Sequence, residues 1–308
     1  MASDPGEKTG RERFILVVIT FITALLSTVF STMLILAPVP LAVLIYRHGL
    51  RPGISTALFS GILVGGLLQH PIPMLLIIFV LALGVAIGEA LRDGFNVRQI
   101  LLVGWAVTFL AFTAFFLVSR YTFGIDLVEA AVDVWLEQLG KFTTASGGIP
   151  LSEEELAQLS GHLRAIWPGT MAISSVFVCV VNYWLVRRWL SRLGEEVPSF
   201  TPFARWRVPW YLTWGYIAGL GIPLLPGISR TPWLIVLAAN LELVSRFLFT
   251  VQGLAVMWFY LTRWGVRKWI RIIIAGLSAL VMPLLVFIGL LDSWFDLRRL
   301  DRESSEDT

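Results

Sequence analysis

The chain has 308 residues, of which 56% are hydrophobic and only 15% charged, with a net charge of +3. Soluble domains carry about 25% charged and about 45–50% apolar residues, so this chain cannot coat a water-facing surface and its exterior must meet lipid. That excludes a soluble two-domain protein. The basic excess reads as loop orientation across a bilayer, with no nucleic acid as partner, and the single cysteine, Cys179, excludes an internal disulfide or a cysteine-based zinc site.

A hydrocarbon core of roughly 30 Å takes about 20 apolar residues of helix. Met1 to Arg13 is a polar tail, and the apolar run after it is too long for a signal-peptide core, so no cleaved leader is expected. The predicted crossings then run Phe14–Met33, Val39–Tyr46, Pro52–Leu68, Pro73–Leu91, Ile100–Ser119, Ile166–Val186, Val208–Leu225, Trp233–Leu261 and Ile272–Leu291. The first two are one uncharged stretch broken at Ala37-Pro38-Val39-Pro40, where two prolines remove amide donors. One kinked crossing, or a helix plus a short second one, both fit that break. Loop charge favours two passes. With a cytoplasmic N-terminus, 16 of the 24 basic residues then fall on the cytoplasmic side. This arrangement leaves Arg298, Arg299 and Arg302 outside, against the rule.

The long loop over 120–165 is acidic and predicted to lie outside. Asp126, Glu129, Asp133 and Glu137 make one stripe of a helix, opposite Ile125, Val128, Val132, Trp135, Leu136 and Leu139. Such an amphipathic helix lies on a membrane surface, packs on the bundle, or covers an outside-facing site. A linker over Lys141 to Pro150 follows, and Ser152 with Glu155 makes a capping box.

Small residues recur at four-residue spacing: Ala24 and Thr28, Gly61 and Gly65, Gly84 and Gly88, Gly215 and Gly219. Such ridges serve helix packing or the docking of a partner membrane subunit. Within the predicted spans, Glu242 and Arg246 have the order of a helical ion pair, and Asn182 is a mid-span polar residue that needs a partner. No phosphate-binding loop and no His-Glu-x-x-His helix is present, and His48, His70 and His162 are scattered. Neither metal, cofactor nor catalytic residue is therefore assigned, and no enzyme is expected.

The stretch Pro38 to Ile54 with the Gly-rich helix up to Gly66 resembles the substrate-binding (S) components of energy-coupling factor transporters. The whole chain is similar to the YybS-like bacterial membrane proteins, a family built on domain of unknown function 2232. Asn240-Leu-Glu-Leu, Val251-Gln-Gly-Leu-Ala and the run Gly289 to Arg298 carry that similarity. The S-component likeness implies a six-helix bundle with a short second helix; with the further apolar runs, about three more crossings, the chain is expected to be an all-α polytopic membrane protein with eight or nine crossings in all. That likeness also implies capture of a small solute and docking on a coupling transmembrane subunit with ATPases. The docking pattern of the first helix reads Ala24-Leu-Leu-Ser-Thr28 here, without its second alanine.

The expected layout is therefore a cytoplasmic tail (1–13), an S-component-like region (14–192), a basic cytoplasmic loop (193–207), a C-terminal transmembrane region (208–295) and a polar tail (296–308). In a bacterial plasma membrane, such a protein would bind or move a solute at an outward opening formed by His70, Arg120, Tyr121 and Trp167, with Asn182 at its floor. The competing expectation is a non-transporting scaffold or regulator of cell-envelope processes.

Overall fold

The computed structural model describes residues 5–27, 31–147, 151–227 and 231–300. Thr28 and Arg302 lie outside the described residues. The helices are α1 (Pro5–Leu26), α2 (Ser31–Leu36), α3 (Pro38–His48), α4 (Leu50–Leu68), α5 (Pro71–Arg92), α6 (Val97–Phe123), α7 (Leu127–Ala145), α8 (Glu153–Arg192), α9 (Thr213–Gly221), α10 (Pro232–Arg263), α11 (Lys268–Leu277) and α12 (Met282–Phe295). Among the described residues there is no strand. The protein is an all-α polytopic membrane protein.

Local sequence sets many of the boundaries. Ala37 ends α2, and Pro38 and Pro40, with no amide to donate, open α3. His70 caps α5 by accepting from the Ile72 amide, and Asn96 and Gln99 form a reciprocal capping box on α6. Gly124 closes α6 at φ 67°, a conformation that a Cβ would penalise. Ser152 and Glu155 satisfy each other before α8, as the motif predicts.

The chain packs as two units: Met1–Ile149 with Ser174–Ser199, and Pro150–Ile173 with Phe200–Thr308. In the first, α5 is the central helix, packed on α3, α4 and α6. Its glycines let backbones touch. A Cβ at Gly84 would sit 2.6 Å from the Pro38 carbonyl oxygen, and one at Gly88 2.7 Å from that of Ala42. Leu41, Leu44, Ile45, Ile77, Leu81, Leu83 and Ile87 are fully buried around this contact. Lipid supplies little hydrophobic drive between helices, so such close packing is what holds them.

The second unit is organised on α10, against which α9 and α12 pack. Here α10 and α12 meet backbone to backbone: a Cβ on Gly253 would lie 2.0 Å from the Leu285 carbonyl oxygen, and one on Gly289 2.1 Å from that of Phe249. Phe249 is fully buried, edge-on to Tyr216 at 6.2 Å.

Among the described residues, five helices are long and apolar enough to cross a membrane: α4, α5, α6, α8 and α10. A sixth is obtained if α11 and α12, bent by 110° at their junction, are one broken span. This is fewer than the eight or nine crossings expected from the apolar runs. The first run shares its helix with the polar segment from Pro5 and ends at Leu26, and the proline break leaves α3 with only 11 residues. Between Val208 and Leu225, Pro209 and Pro223 confine regular α-helix to the nine residues of α9. The acidic helix is present as α7, capped by Asp126, and it runs to Ala145 into what sequence suggests is linker.

Candidate functional site

Charge buried without water needs a complete set of partners. In the second unit such a set surrounds Arg298, whose side chain is 0% exposed, and Asp292, at 1%. The Arg298 guanidinium donates to Asp292 Oδ2 at 2.7 Å, to the Trp206 carbonyl at 2.8 Å and to the Ala204 carbonyl at 2.6 Å. Gln252, fully buried on α10, donates from Nε2 to Asp292 Oδ2 at 2.8 Å and accepts the Val208 amide on Oε1 at 2.9 Å. One cluster thus joins the segment before α9, the middle of α10 and the end of α12. The six-residue offset of Asp292 and Arg298 does not fit a helix face. It works because Asp296, at φ 43°, ends α12 and turns the chain back.

Two asparagines perform a related task at helix breaks. Pro168 lies inside α8, and its ring opposes a regular ladder around it. Asn240 of α10 fills the gap. Its Nδ2 donates to the Ala165 carbonyl at 2.8 Å, and its Oδ1 accepts the Gly169 amide at 2.5 Å. The side-chain amide therefore gives partners to two backbone groups on either side of Pro168. Gly169 is needed for the approach, because a Cβ there would lie 2.7 Å from Asn240 Oδ1. In the first unit Asn182 donates to the Ile35 carbonyl at 2.9 Å, beside the Ala37-Pro38 break. Asn182 is fully buried, and its Oδ1 accepts no hydrogen bond from the described residues.

The sequence-predicted site residues are distributed between the units. His70 begins α5 and Arg120 and Tyr121 lie near the end of α6. Because α5 and α6 pack on each other and are joined by the short turn at 93–96, these three share one end of the first unit. Tyr121 is 80% exposed, and Arg120 pairs with Asp126 at 3.1 Å. Trp167 belongs to the second unit. Glu242 and Arg246 form an ion pair on α10.

The glycine ridges face neighbouring helices: Gly61 approaches Ile78, Gly65 approaches Met74, Gly219 meets the Glu242 backbone and Gly215 the Ser245 hydroxyl. Ala24 is fully buried on α1. Asp292 and Arg298 were not singled out from sequence. The signal available was the run Gly289 to Arg298 itself, but with Arg298 assigned to a polar tail its partner was not evident.

Apolar helices of membrane-spanning length, with their interior polar groups matched to one another, define an integral membrane protein. A family match covers residues 14–293, and the chain belongs to the family described as "Predicted membrane protein (DUF2232)". It is similar to the uncharacterized protein YybS of Bacillus subtilis (strain 168), with 22% identity over 207 residues, covering 64% of this chain and 67% of the relative. No solved structure matches.

Proposed function

We propose that this protein binds a small solute within its first unit and presents it for transport, after the manner of the S components it resembles. The observation that carries this reading is Asn182: a fully buried amide whose oxygen has no donor among the described residues. A buried acceptor without a donor costs about 1–3 kcal/mol, and a bound solute that donates a hydrogen bond would remove that cost. The composition of the unit supports the reading. It comprises α1 to α7 and the C-terminal part of α8; leaving aside the six-residue α2 and the amphipathic α7, six helices remain with the short α3 in second place, in keeping with such a layout. His70, Arg120 and Tyr121 stand at one end of it and supply donors and an aromatic face.

In this reading the chain sits in a bacterial plasma membrane with its N-terminus cytoplasmic, and a coupling subunit with ATPases is the partner. A thermal-shift screen of vitamins, metal ions and nucleobases on the detergent-purified protein tests it. A solute that raises the melting temperature of the wild type, and not of Asn182→Leu or of the Arg120→Ala, Tyr121→Ala double variant, is the expected result. If no compound shifts the wild type, and the chain co-purifies with cell-envelope proteins in place of a coupling subunit, the scaffold role stands instead.

A further inference from the structure

We propose that the C-terminal end of α10, in the second unit, binds the head group of an anionic phospholipid whose acyl chains lie along the apolar face of α11. The proposal does not depend on the solute site.

The site is assembled around Trp258. The Phe203 ring meets it edge-on at 6.3 Å, and the Arg271 guanidinium lies over it at 4.9 Å while donating to the Thr262 hydroxyl. Residues 203–207 and the first turn of α11 are thereby brought to the last turns of α10. Arg298 holds the first of these segments through the Ala204 and Trp206 carbonyls. Five exposed cations follow from that convergence: Arg205 and Arg207, Arg263 at the end of α10, and Arg267 and Lys268 at the start of α11. Loop orientation explains why cations stand at a helix end, but it does not require two distant parts of the chain to bring theirs to one ring.

Little negative charge opposes them. Residues 197–291 carry one carboxylate, Glu242, which pairs with Arg246 and lies about 30 Å back along α10 at 1.5 Å per residue. Asp292 is paired with Arg298, and Asp296, which accepts the Leu300 amide, still leaves a clear excess of positive charge. The acids of 301–308 lie outside the described residues.

The apolar half completes the match. Beside the cations, Trp264 and Trp269 are exposed, with Trp264 leaning on Tyr260 at 5.8 Å. Tryptophan favours the boundary between head groups and acyl chains. Ile272, Ile273 and Leu277 are exposed with Trp269 on the face of α11 turned away from Arg271. A phospholipid joins a phosphate to acyl chains in the same order. A soluble acidic partner would satisfy the cations and leave these apolar side chains in water.

The test titrates the full-length protein in neutral detergent with phosphatidylglycerol, phosphatidylcholine or glycerol 3-phosphate, and follows thermal unfolding by tryptophan fluorescence. Phosphatidylglycerol should raise the melting temperature, phosphatidylcholine should do so far less, and glycerol 3-phosphate should not. Each basic residue near an anionic surface is worth about fivefold in affinity. The combined Arg263→Gln, Arg267→Gln, Lys268→Gln variant, with a wild-type gel-filtration profile, should therefore need on the order of a hundredfold more phosphatidylglycerol for half-saturation. A charge-matched control in the first unit, Arg51→Gln, Arg98→Gln, Arg188→Gln, all at exposed positions, should stay near the wild-type value. A second measurement needs no variant: raising salt from about 0.1 M to about 1 M, which shortens screening from about 10 Å to about 3 Å, should weaken the phosphatidylglycerol effect. Equal stabilisation by phosphatidylcholine overturns the proposal, as do equal losses in the two triple variants, full stabilisation by glycerol 3-phosphate alone, or an effect unchanged at high salt.

Discussion

Replacing Arg298 by methionine keeps much of the side-chain volume and removes the guanidinium. The structure then leaves Asp292 as a carboxylate that is 1% exposed, with only the Gln252 amide still donating to it, and strands the Ala204 and Trp206 carbonyls. Breaking a buried pair from one side costs about 3–5 kcal/mol. At roughly 2–4 °C per kcal/mol for a body of 150–250 residues, the melting temperature should fall by on the order of 10 °C.

A cycle isolates the cause. Arg298→Met combined with Asp292→Leu removes the stranded charge and should recover about half of the loss, since the two carbonyls remain unpaired. Arg298→Lys should fall between wild type and Arg298→Met, because an ammonium group cannot reach all three acceptors at once. The assay is thermal unfolding in one detergent, followed by tryptophan fluorescence. An unchanged melting temperature in Arg298→Met would refute the reasoning, and so would a double variant less stable than either single one.

Three further outcomes are expected. Gly253→Ala forces a Cβ against the Leu285 backbone and should destabilise by about 1–3 kcal/mol, whereas Gly276→Ala, with nothing within 4 Å, should be neutral or stabilise by up to about 1 kcal/mol; equal effects in thermal unfolding would contradict the crossing. Asn240→Ala should cost about 1–2 kcal/mol in a wild-type background and less with Pro168→Ala, where residue 168 regains an amide and α8 a regular turn; identical losses in both backgrounds would show that the amide does not support the proline-interrupted turn. On α7 the Lys141 hydrogen bond, and then its charge, hold the Glu137 carboxyl below its ordinary value, so this favourable pairing exists above that ordinary value and is lost as pH falls through the lowered one. Carboxyl-carbon NMR titration should show the Glu137 midpoint rise in Lys141→Gln, and an unmoved midpoint would rule the pair out.

The legible parts of this fold were those written in local patterns. Ser152 with Glu155 is a cap whose partner is three residues away, so chain order alone locates it; Asn96 with Gln99 is of the same local kind, and Asp126, placed on the acidic stripe from its spacing, instead caps α7. The proline break before α3 was equally readable, since a missing amide acts where it stands. Apolar length was a weaker guide: the run over Val208 to Leu225 has the composition of a crossing, yet Pro209 and Pro223 interrupt its ladder. Long-range matching was not readable. Asn240 reaches residues 165 and 169, and Asn182 reaches residue 35; nothing in a single sequence says which distant break an amide will fill. Arg298 was the hardest case, because its role depends on a chain reversal at Asp296 and on two carbonyls near residue 205.

The length of α8 has a practical consequence. Its 40 residues extend about 60 Å at 1.5 Å per residue, twice the roughly 30 Å of hydrocarbon in a bilayer. The helix is therefore longer than one passage through hydrocarbon requires. Its first turns carry Glu153, Glu154, Glu155 and His162 exposed, and carboxylates of this kind are costly to place in hydrocarbon. That makes residues 153–162 the place to attach an affinity handle or raise a binding fragment, since charged, exposed side chains there are free to meet one.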